Sequence, residues 1–188
     1  MLGIQRNKVY LSAYDSAWKQ EAADTIVNLK NVLGTFAVDI QHIGSTAVFG
    51  MSAVPVIDIA VGVRFLEDVN KFIPELADIG VYHVPEKDNA RRMFFYSGDL
   101  ENDIVTHNIH FVEYMDERWQ GFMNFRKYLS AKDSHREEYT KIKEAAYLKH
   151  PSSIDHYNAS KAEYIRNVVR KTSTRNIYLD FKLCRIWF

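Results

Sequence analysis

Residues 42–62 read HIGSTAVFGMSAVPVIDIAVG. A Gly-Ser pair, Gly44 and Ser45, follows one short apolar run, and a single carboxylate, Asp58, lies within the next. Aspartate is a poor strand former and is costly to bury without a partner. The position of Asp58 inside a Val/Ile/Ala strand therefore needs either a structural partner or a functional reason.

The order of strand, Gly-Ser turn, short helix and carboxylate-bearing strand suits nucleotide chemistry. Backbone N–H groups in such a turn and a helix N-terminus both attract phosphate, and glycine allows a close approach. A carboxylate on the neighbouring strand can hold a Mg²⁺ ion that bridges the same phosphates. The alternative interpretation is that Ser45 caps a helix and Asp58 pairs with an arginine for structural reasons.

The composition predicts a soluble globular protein. The chain has 188 residues, of which 47% are apolar, and Lys+Arg and Asp+Glu balance at 24 each. This balance, without a basic run interleaved with aromatics, makes nucleic acid an unexpected partner. One cysteine, Cys184, excludes an internal disulfide and is typical of the reducing cytoplasm. No apolar stretch approaches the ~18 residues of a membrane-spanning helix, so we expect a cytoplasmic protein with no membrane partner. Its oligomeric state stays open.

The spacing of apolar residues predicts an α+β fold. A helix ends at Gly34, strands follow at residues 35–43 and 55–63, and a second helix covers residues 64–80. A β-hairpin is predicted from RRMFFYSG and IVTHNIHFVEYM. After Asp116 the period changes to that of three helices, predicted at 117–131, 135–148 and 155–171.

We therefore expect a mixed β-sheet core flanked by helices in residues 1–115, followed by a C-terminal helical layer in residues 116–172. The tail, residues 173–188, is β-prone and aromatic. It fits an added strand, an interface or an appended segment equally well.

Three basic residues lie where helical spacing predicts burial. Arg126 follows Phe122 by four residues, Lys143 follows Tyr139 by four, and Lys161 follows Tyr157 by four. A charge on a core-facing stripe has to be paired or has to extend to water. The three could form a cationic wall that faces Gly44, Ser45 and Asp58 and receives a polyphosphate, or they could pair with carboxylates to fix helix packing.

Two histidines are further candidates. On the strand THNIHFVEY, His110 has the parity of Asn108, and it could act as a metal ligand or acid/base group beside Asp58. The alternative is a satisfied, semi-buried histidine. His42 precedes the Gly-Ser turn and is expected to hydrogen-bond the loop backbone.

Residues 42–63 closely resemble the signature of the GrpB family, which runs H-I-G-S-T-[AS]-V-P-G-L-x-x-K-P-[IV]-I-D-I-x-V. The resemblance extends to about residue 171. Further matching positions are Tyr14, Trp18, Arg92, His107, His110, Trp119, Phe125, Arg126, Tyr128, Leu129, Tyr139, Lys143, Tyr157 and Lys161.

This resemblance implies the nucleotidyltransferase-like fold of the DNA-polymerase-beta type. In that fold the Gly-Ser turn holds nucleotide phosphates and strand carboxylates hold two divalent metals, here expected to be Mg²⁺ or Mn²⁺ at Asp58. The predicted catalytic residues are Asp58 and His110. The residues predicted to bind the nucleotide or its phosphates are His42, Gly44, Ser45, Thr46, Arg92, Arg126, Lys143 and Lys161.

Three departures from the expected pattern bear on activity. The lysine before the family's second strand is Val54, the family's proline is Phe49, and the position two after Asp58 is Ala60. Two-metal catalysis needs more oxygen ligands than one carboxylate provides.

Three functions are therefore consistent with the sequence. One is a metal-dependent nucleotidyltransferase acting on an NTP and an unknown hydroxyl acceptor. Another is a non-catalytic protein that binds a nucleotide or a CoA-type phosphate ligand. The third is an interaction protein that uses its aromatic helical half or its tail.

Overall fold

The computed structural model describes residues 2–173, which form a six-stranded sheet with helices on both faces. The strands are β1 (Ile4–Gln5), β2 (Ala37–Ile43), β3 (Ile57–Val63), β4 (Val81–His83), β5 (Met93–Asp99) and β6 (Ile104–Glu113). The helices are α1 (Ala17–Leu33), α2 (Ile73–Asp78), α3 (Glu117–Ala131), α4 (Asp133–Lys149) and α5 (Ile154–Thr172). The prediction for the tail falls outside the described residues, apart from residue 173.

The sheet is mixed, as predicted. Its strand order is β2-β3-β6-β5-β4, and β3 runs parallel to β6 while the other pairs are antiparallel. The short strand β1 pairs with β6 through Ile4 and Val105, at a level where β3 has not yet begun. The N-terminal strand of the sheet lies at Ile4–Gln5, and residues 8–11 have no ladder pairing.

Helix α1 confirms the helix that was predicted to end at Gly34, and it is amphipathic. Trp18, Ala22, Leu29 and Leu33 are buried on one side of the helix. The helix ends at Gly34, which has a φ of 52°, a backbone conformation that glycine adopts without a Cβ clash. The 3.6-residue period and the glycine stop signal therefore located this element correctly.

The second predicted helix, residues 64–80, was too long. Residues Leu66–Phe72 form a 3₁₀ segment, and α2 covers only Ile73–Asp78. Pro74 lies in the first turn of α2, where its missing N–H leaves no intrahelical bond unmade. Proline therefore sets the start of the α-helix and ends the preceding, tighter segment.

The change of period near Asp116 marks the start of a helical layer. The Asp116 carboxylate accepts a hydrogen bond of 2.7 Å from the Trp119 N–H and so caps α3. Helices α3, α4 and α5 follow in sequence, and no strand occurs between residues 116 and 173. In the described range no helix is both long and apolar enough to cross a membrane.

Alternate residues of each central strand serve different sides of the sheet. Ile57, Ile59 and Val61 pack in one hydrophobic cluster with residues of α1 and α2. Ala60 belongs to a second cluster with residues of α3, α4 and α5. Because side chains alternate along a strand, Asp58 shares the parity of Ala60 and lies on the side of the helical layer.

Candidate functional site

Asp58 lies at the centre of the sheet, beside Asn108 of the parallel neighbour β6. The Asn108 Nδ2 donates a hydrogen bond of 2.9 Å to Asp58 Oδ1. The Asp58 side chain keeps 14% of its surface exposed, while the flanking residues Ile57 and Ile59 are fully buried. A polar neighbour and a residual opening therefore explain why a carboxylate is tolerated within an apolar strand.

The turn at Gly44 lies directly against Asp58. Gly44 has a φ of 70°, and a Cβ at this position would overlap with Asp58 Oδ2. Only glycine allows the backbone to pass the carboxylate this closely. The following residues, Ser45–Ala47, form a three-residue 3₁₀ turn instead of the predicted short helix, so no helix dipole points at the carboxylate.

A cavity of about 100 Å³ opens beside this turn. That volume is far above the ~10–15 Å³ that one water molecule requires. Polar groups in its wall come from the turn 44–46, Asp58, Asn108, Lys143 and Lys161. The cavity therefore brings together the Gly-Ser turn, the strand carboxylate and two of the three predicted cations.

Lys143 and Lys161 reach the cavity from successive helices, α4 and α5. Their side chains are 1% and 6% exposed. The Lys143 ammonium donates to the Ser52 carbonyl oxygen, and the Lys161 ammonium lies 3.9 Å above the centroid of the Tyr157 ring. Among the described residues, neither lysine forms an ion pair with a carboxylate within 4.0 Å.

Burial shifts the titration of both lysines in the same direction. Burial and, to a smaller extent, the charge of Lys161 together lower the pKa of Lys143 to about 7, against the charge of Glu144, which raises it. Burial also lowers the pKa of Lys161 to about 7, against the charge of Asp58, which raises it. Two ammonium groups that are short of negative partners therefore face one cavity.

Arg126 does not join these two lysines. Its Nη1 donates 2.5 Å to the His42 carbonyl oxygen and 3.1 Å to Gln41 Oε1, and its Nη2 donates 3.1 Å to the same Gln41 oxygen. Arg126 is absent from the residues that line the cavity. The predicted three-cation wall therefore contains two cations, because Arg126 anchors α3 to β2 instead.

His42 and Thr46 hold the ends of the turn together. The His42 Nε2 and the Thr46 hydroxyl lie 2.9 Å apart, so the partner of His42 is a side chain rather than the predicted loop backbone. Burial lowers the pKa of His42 to about 4, so the ring is neutral near pH 7. Thr46 lines the cavity and His42 does not.

His110 and Arg92 form a buried chain that ends at Asp58. The Arg92 Nη1 lies 3.5 Å from His110 Nδ1, and His110 Nε2 lies 3.8 Å from Asp58 Oδ1. A guanidinium can only donate, so Nδ1 accepts and the ring proton is on Nε2, towards Asp58. Burial lowers the pKa of His110 to about 4. Neither His110 nor Arg92 lines the cavity. His110 lies next to Asp58 outside the cavity, and Arg92 lies next to His110.

Five polar residues of the cavity had not been proposed as site residues from the sequence, namely Arg6, Asn7, Lys87, Asn108 and Asn158. Arg6 and Lys87 are the basic ones, and Asn158 of α5 lies one residue after Tyr157. Arg6 comes to the site because β1 pairs with β6, and its Nε donates 2.8 Å to Asp103 of the hairpin turn. No local sequence pattern predicts this long-range pairing of β1 with β6.

The donor set does not fit a two-metal centre. Of the described residues that line the cavity, Asp58 is the one carboxylate, and Ala60 is fully buried in the apolar cluster with Phe122. Within the described range, no group of three His, Cys, Asp or Glu residues could hold a metal ion. Val54, where the GrpB signature has lysine, lines the cavity as an apolar wall.

Comparison with known proteins identifies relatives along most of the chain. The profile of the family described as GrpB protein matches residues 8–171. The chain is 34% identical over 173 residues to glutamate-rich protein GrpB of Alkalihalophilus pseudofirmus, covering 91% of this chain and 99% of that protein. It is 31% identical to UPF0157 protein YqkA of Bacillus subtilis, covering 86% of this chain but 46% of YqkA.

Solved structures confirm the fold. The crystal structure of conserved protein GrpB from Enterococcus faecalis matches with a TM-score of 0.78 and 26% identity, covering 87% of this chain and 96% of that one. The Cid1 poly(U) polymerase bound to MgGTP matches with a TM-score of 0.50 and 15% identity, covering 73% of this chain and 44% of Cid1. The predicted nucleotidyltransferase-like fold is thus confirmed, and the chain belongs to the GrpB family.

Proposed function

We propose that this protein binds a nucleotide or a related phosphorylated small molecule, with the phosphates between the turn 44–46 and the pair Lys143 and Lys161. The pair of buried lysines carries the proposal. Each is more than nine-tenths buried, and neither has a carboxylate within 4.0 Å among the described residues. A buried ammonium without a negative partner is unfavourable, and an anionic ligand would supply the missing charge.

The other walls of the cavity favour phosphate over a simple carboxylate. Gly44 and Ser45 of the turn line the same cavity, and a serine hydroxyl can donate a hydrogen bond to a ligand oxygen. The fold supports the proposal by analogy, since Cid1, which shares it, was crystallised with MgGTP. Lysine binds phosphate as a point charge, and two lysines match a group with several anionic oxygens.

Ligand binding would change the charge state of the pair. With pKa values of about 7, the two lysines are partly neutral at physiological pH before a ligand arrives. A phosphate beside them favours the ammonium form, so binding would take up protons. In the walled cavity each of these interactions would be stronger than at an exposed surface.

A second candidate function is nucleotidyl transfer to a hydroxyl acceptor, with Asp58 holding Mg²⁺ or Mn²⁺. The specific observation in its favour is the contact between Asp58 and the turn at Gly44, which puts the carboxylate beside the proposed phosphate position. Asn108 and the His110–Arg92 chain would then orient Asp58. The single carboxylate makes transfer the second candidate, behind binding.

The test of the binding proposal is isothermal titration calorimetry with ATP, GTP and UTP, each with and without Mg²⁺. We expect binding of at least one nucleotide without metal, and an affinity loss of about tenfold or more in Lys161→Met, because charge-assisted contacts of this kind are worth ~1.5–3 kcal/mol. The matched control is Lys127→Met, an exposed lysine outside the cavity, which should keep wild-type affinity. Absence of nucleotide binding to the wild type would overturn the proposal.

Asp58→Asn separates the two candidate functions. If the lysines hold the phosphates, removing a nearby negative charge should leave metal-free affinity unchanged or increase it. If Asp58 holds a metal for transfer, the same substitution should abolish any Mg²⁺-dependent gain in affinity. Loss of the Mg²⁺-dependent gain in affinity would therefore assign metal binding to Asp58. A metal-free affinity that stays equal or increases would indicate that the lysines hold the phosphates.

A further inference from the structure

A tyrosine of the cavity wall, Tyr157, carries a buried hydroxyl. The residue lies near the start of α5, lines the cavity and is 1% exposed. Among the described residues, its hydroxyl has no hydrogen-bond partner. Buried tyrosine hydroxyls are normally hydrogen-bonded, because an unsatisfied buried donor is unfavourable. We therefore expect this hydroxyl to bond to a group outside the described residues.

The ring of Tyr157 has structural contacts that do not use the hydroxyl. It packs in an apolar cluster with Val9 and Ala146, and the Lys161 ammonium lies 3.9 Å above the ring centroid. A phenylalanine ring would make both kinds of contact without burying a polar group. Packing therefore explains why an aromatic ring is present at this position, but it does not explain the hydroxyl.

The position of the ring connects the hydroxyl with the proposed phosphate site. Lys161 follows Tyr157 by four residues on α5, so the two side chains lie on the same face of the helix. Both residues line the cavity, and the ammonium stands over the ring that carries the hydroxyl. The Tyr157 hydroxyl and the Lys161 ammonium are thus neighbouring donors in the wall of one cavity.

The chemistry of the two donors is complementary. Burial and, to a smaller extent, the charge of Asp58 raise the pKa of Tyr157, so the phenol keeps its proton at neutral pH. A protonated hydroxyl donates one hydrogen bond with a preferred direction. A lysine ammonium binds phosphate as a point charge and gives it little orientation. Together the two groups would supply charge from Lys161 and direction from Tyr157.

We propose that the Tyr157 hydroxyl donates a hydrogen bond to a phosphate oxygen of the ligand, beside the oxygens that Lys161 binds. This inference rests on the proposed function and adds a ligand-binding residue to it. The face of the tyrosine ring holds the Lys161 ammonium, and the hydroxyl of the same ring holds the ligand. The hydroxyl then orients a phosphate that the lysines attract.

The test removes the hydroxyl alone. Tyr157→Phe and the wild type are titrated by calorimetry with the tightest-binding of ATP, GTP and UTP and with inorganic tripolyphosphate, without metal and at constant ionic strength. We expect an affinity loss of about tenfold for both probes, because one hydrogen bond to a charged group is lost. Tripolyphosphate has no sugar or base, so a loss shared by both probes assigns the contact to phosphate.

Tyr164→Phe is the matched control. The Tyr164 hydroxyl donates a hydrogen bond of 2.9 Å to Glu138 Oε2, and Tyr164 is not among the described residues that line the cavity. This variant should bind both probes like the wild type. Tyr157→Phe should melt at the wild-type temperature or above it, because an unsatisfied buried donor is removed. A clearly lower melting temperature would give the hydroxyl a structural partner and overturn the inference.

The remaining outcomes separate this inference from the binding proposal. If Tyr157→Phe binds both probes as tightly as the wild type, the inference is overturned and the binding proposal stands. A loss seen only with the nucleotide also overturns the inference, because the hydroxyl would then contact the sugar or the base. If the wild type binds a nucleotide but not tripolyphosphate at millimolar concentration, the inference fails in the same way. If the wild type binds none of these probes, the binding proposal itself fails, and this inference fails with it.

Discussion

The two faces of the central strands use the same backbone for different purposes. On the side of α1 and α2, β3 presents Ile57, Ile59 and Val61, all fully buried in an apolar cluster. On the side of the helical layer, the alternating positions of the same strand are Asp58, Ala60 and Gly62. One face is built from branched apolar side chains, and the other from a carboxylate and two of the smallest residues.

The small residues explain how the second face acquires a cavity. A Cβ at Gly62 would lie 2.9 Å from atoms of Trp119 and Tyr114, so glycine lets the helical layer approach the sheet closely. The lysines of α4 and α5 then come within reach of the carboxylate side of the strand. The comparison indicates that the first face contributes mainly to stability. The second face has fewer large apolar side chains on β3 and contains the polar cavity instead.

Substitution on the first face should give the largest loss of stability. Phe111 is fully buried and lies 4.9 Å, ring to ring, from Phe95. Phe111→Ala should lower the free energy of unfolding by about 3–5 kcal/mol through lost burial and a cavity. Urea denaturation measures this loss. Nucleotide affinity, measured at a temperature where the variant is folded, should stay close to the wild type.

A large fall in affinity with little loss of stability in Phe111→Ala would contradict the division between the two faces. It would mean that the first face also shapes the ligand site. Calorimetric titration of the folded variant, beside the urea curve, gives both quantities on one sample.

The glycine turn offers a matched pair for the second face. Gly44 and Gly50 have similar φ values, 70° and 75°, but a Cβ at position 50 would meet no atom within 4 Å. Gly50→Ala should therefore lose only the ~1–2 kcal/mol of left-handed backbone strain. Gly44→Ala adds overlap with Asp58, so it should lose about 2–4 kcal/mol and also weaken nucleotide binding. Equal losses in the two variants would show that Asp58 moves aside without cost.

Much of the fold could be predicted because it depends on local patterns. The start of α3, the end of α1 at Gly34 and the β5–β6 hairpin all followed from periodicity and stop signals. The short α2 could not be located as well, since the 3₁₀ segment before Pro74 has the same apolar spacing as a helix. The spacing of apolar residues identifies a buried face but does not distinguish a 3₁₀-helix from an α-helix.

The site was predictable only in part, because the spacing of residues along a helix does not identify the partners of a charged residue on its apolar face. Arg126, Lys143 and Lys161 occupy equivalent positions on their helices, yet Arg126 meets backbone and amide oxygens of β2 while the lysines meet the cavity. Arg6 and Lys87 were missed because they join the cavity through long-range pairing and a turn. Such contacts depend on tertiary arrangement and leave no local signal.

Lys161→Met should separate stability from binding. Removing a buried ammonium that has no carboxylate partner among the described residues should leave the free energy of unfolding unchanged or raise it by up to ~3 kcal/mol, while nucleotide affinity falls. Methionine keeps an unbranched side chain and the contact with the Tyr157 ring. Urea denaturation and calorimetry on the same preparation measure both effects. Lower stability with unchanged affinity would instead assign Lys161 to packing.

The second face is also expected to give a gradual effect, a slope of the free energy of unfolding with pH. Lys143 and Lys161 have pKa values of about 7 in the folded chain, against an ordinary value of 10.5. Between these values the unfolded chain binds more protons than the folded one, so the free energy of unfolding rises with pH. The limit is ~1.4 kcal/mol per pH unit for each lysine, so the expected rise is up to about 2.7 kcal/mol per pH unit for the pair.

The window from pH 7.5 to 8.5 reports mainly on these two lysines. Burial lowers the pKa of Arg92 to about 9 and also lowers that of Lys87, so both add to the slope at higher pH. The partly buried His42 and the buried His107 and His110, with pKa values of about 4 in the folded chain and 6.5 ordinarily, change stability at lower pH. The buried tyrosines Tyr139 and Tyr157 have raised pKa values and act above pH 10. In a Lys143→Met, Lys161→Met double variant the slope should largely disappear, whereas Lys127→Met should keep it. Nucleotide affinity of the wild type should fall over the same window as the ammonium groups lose their protons. A flat stability profile in the wild type would mean that both lysines stay charged without a ligand, and the proton uptake proposed for binding would then be wrong.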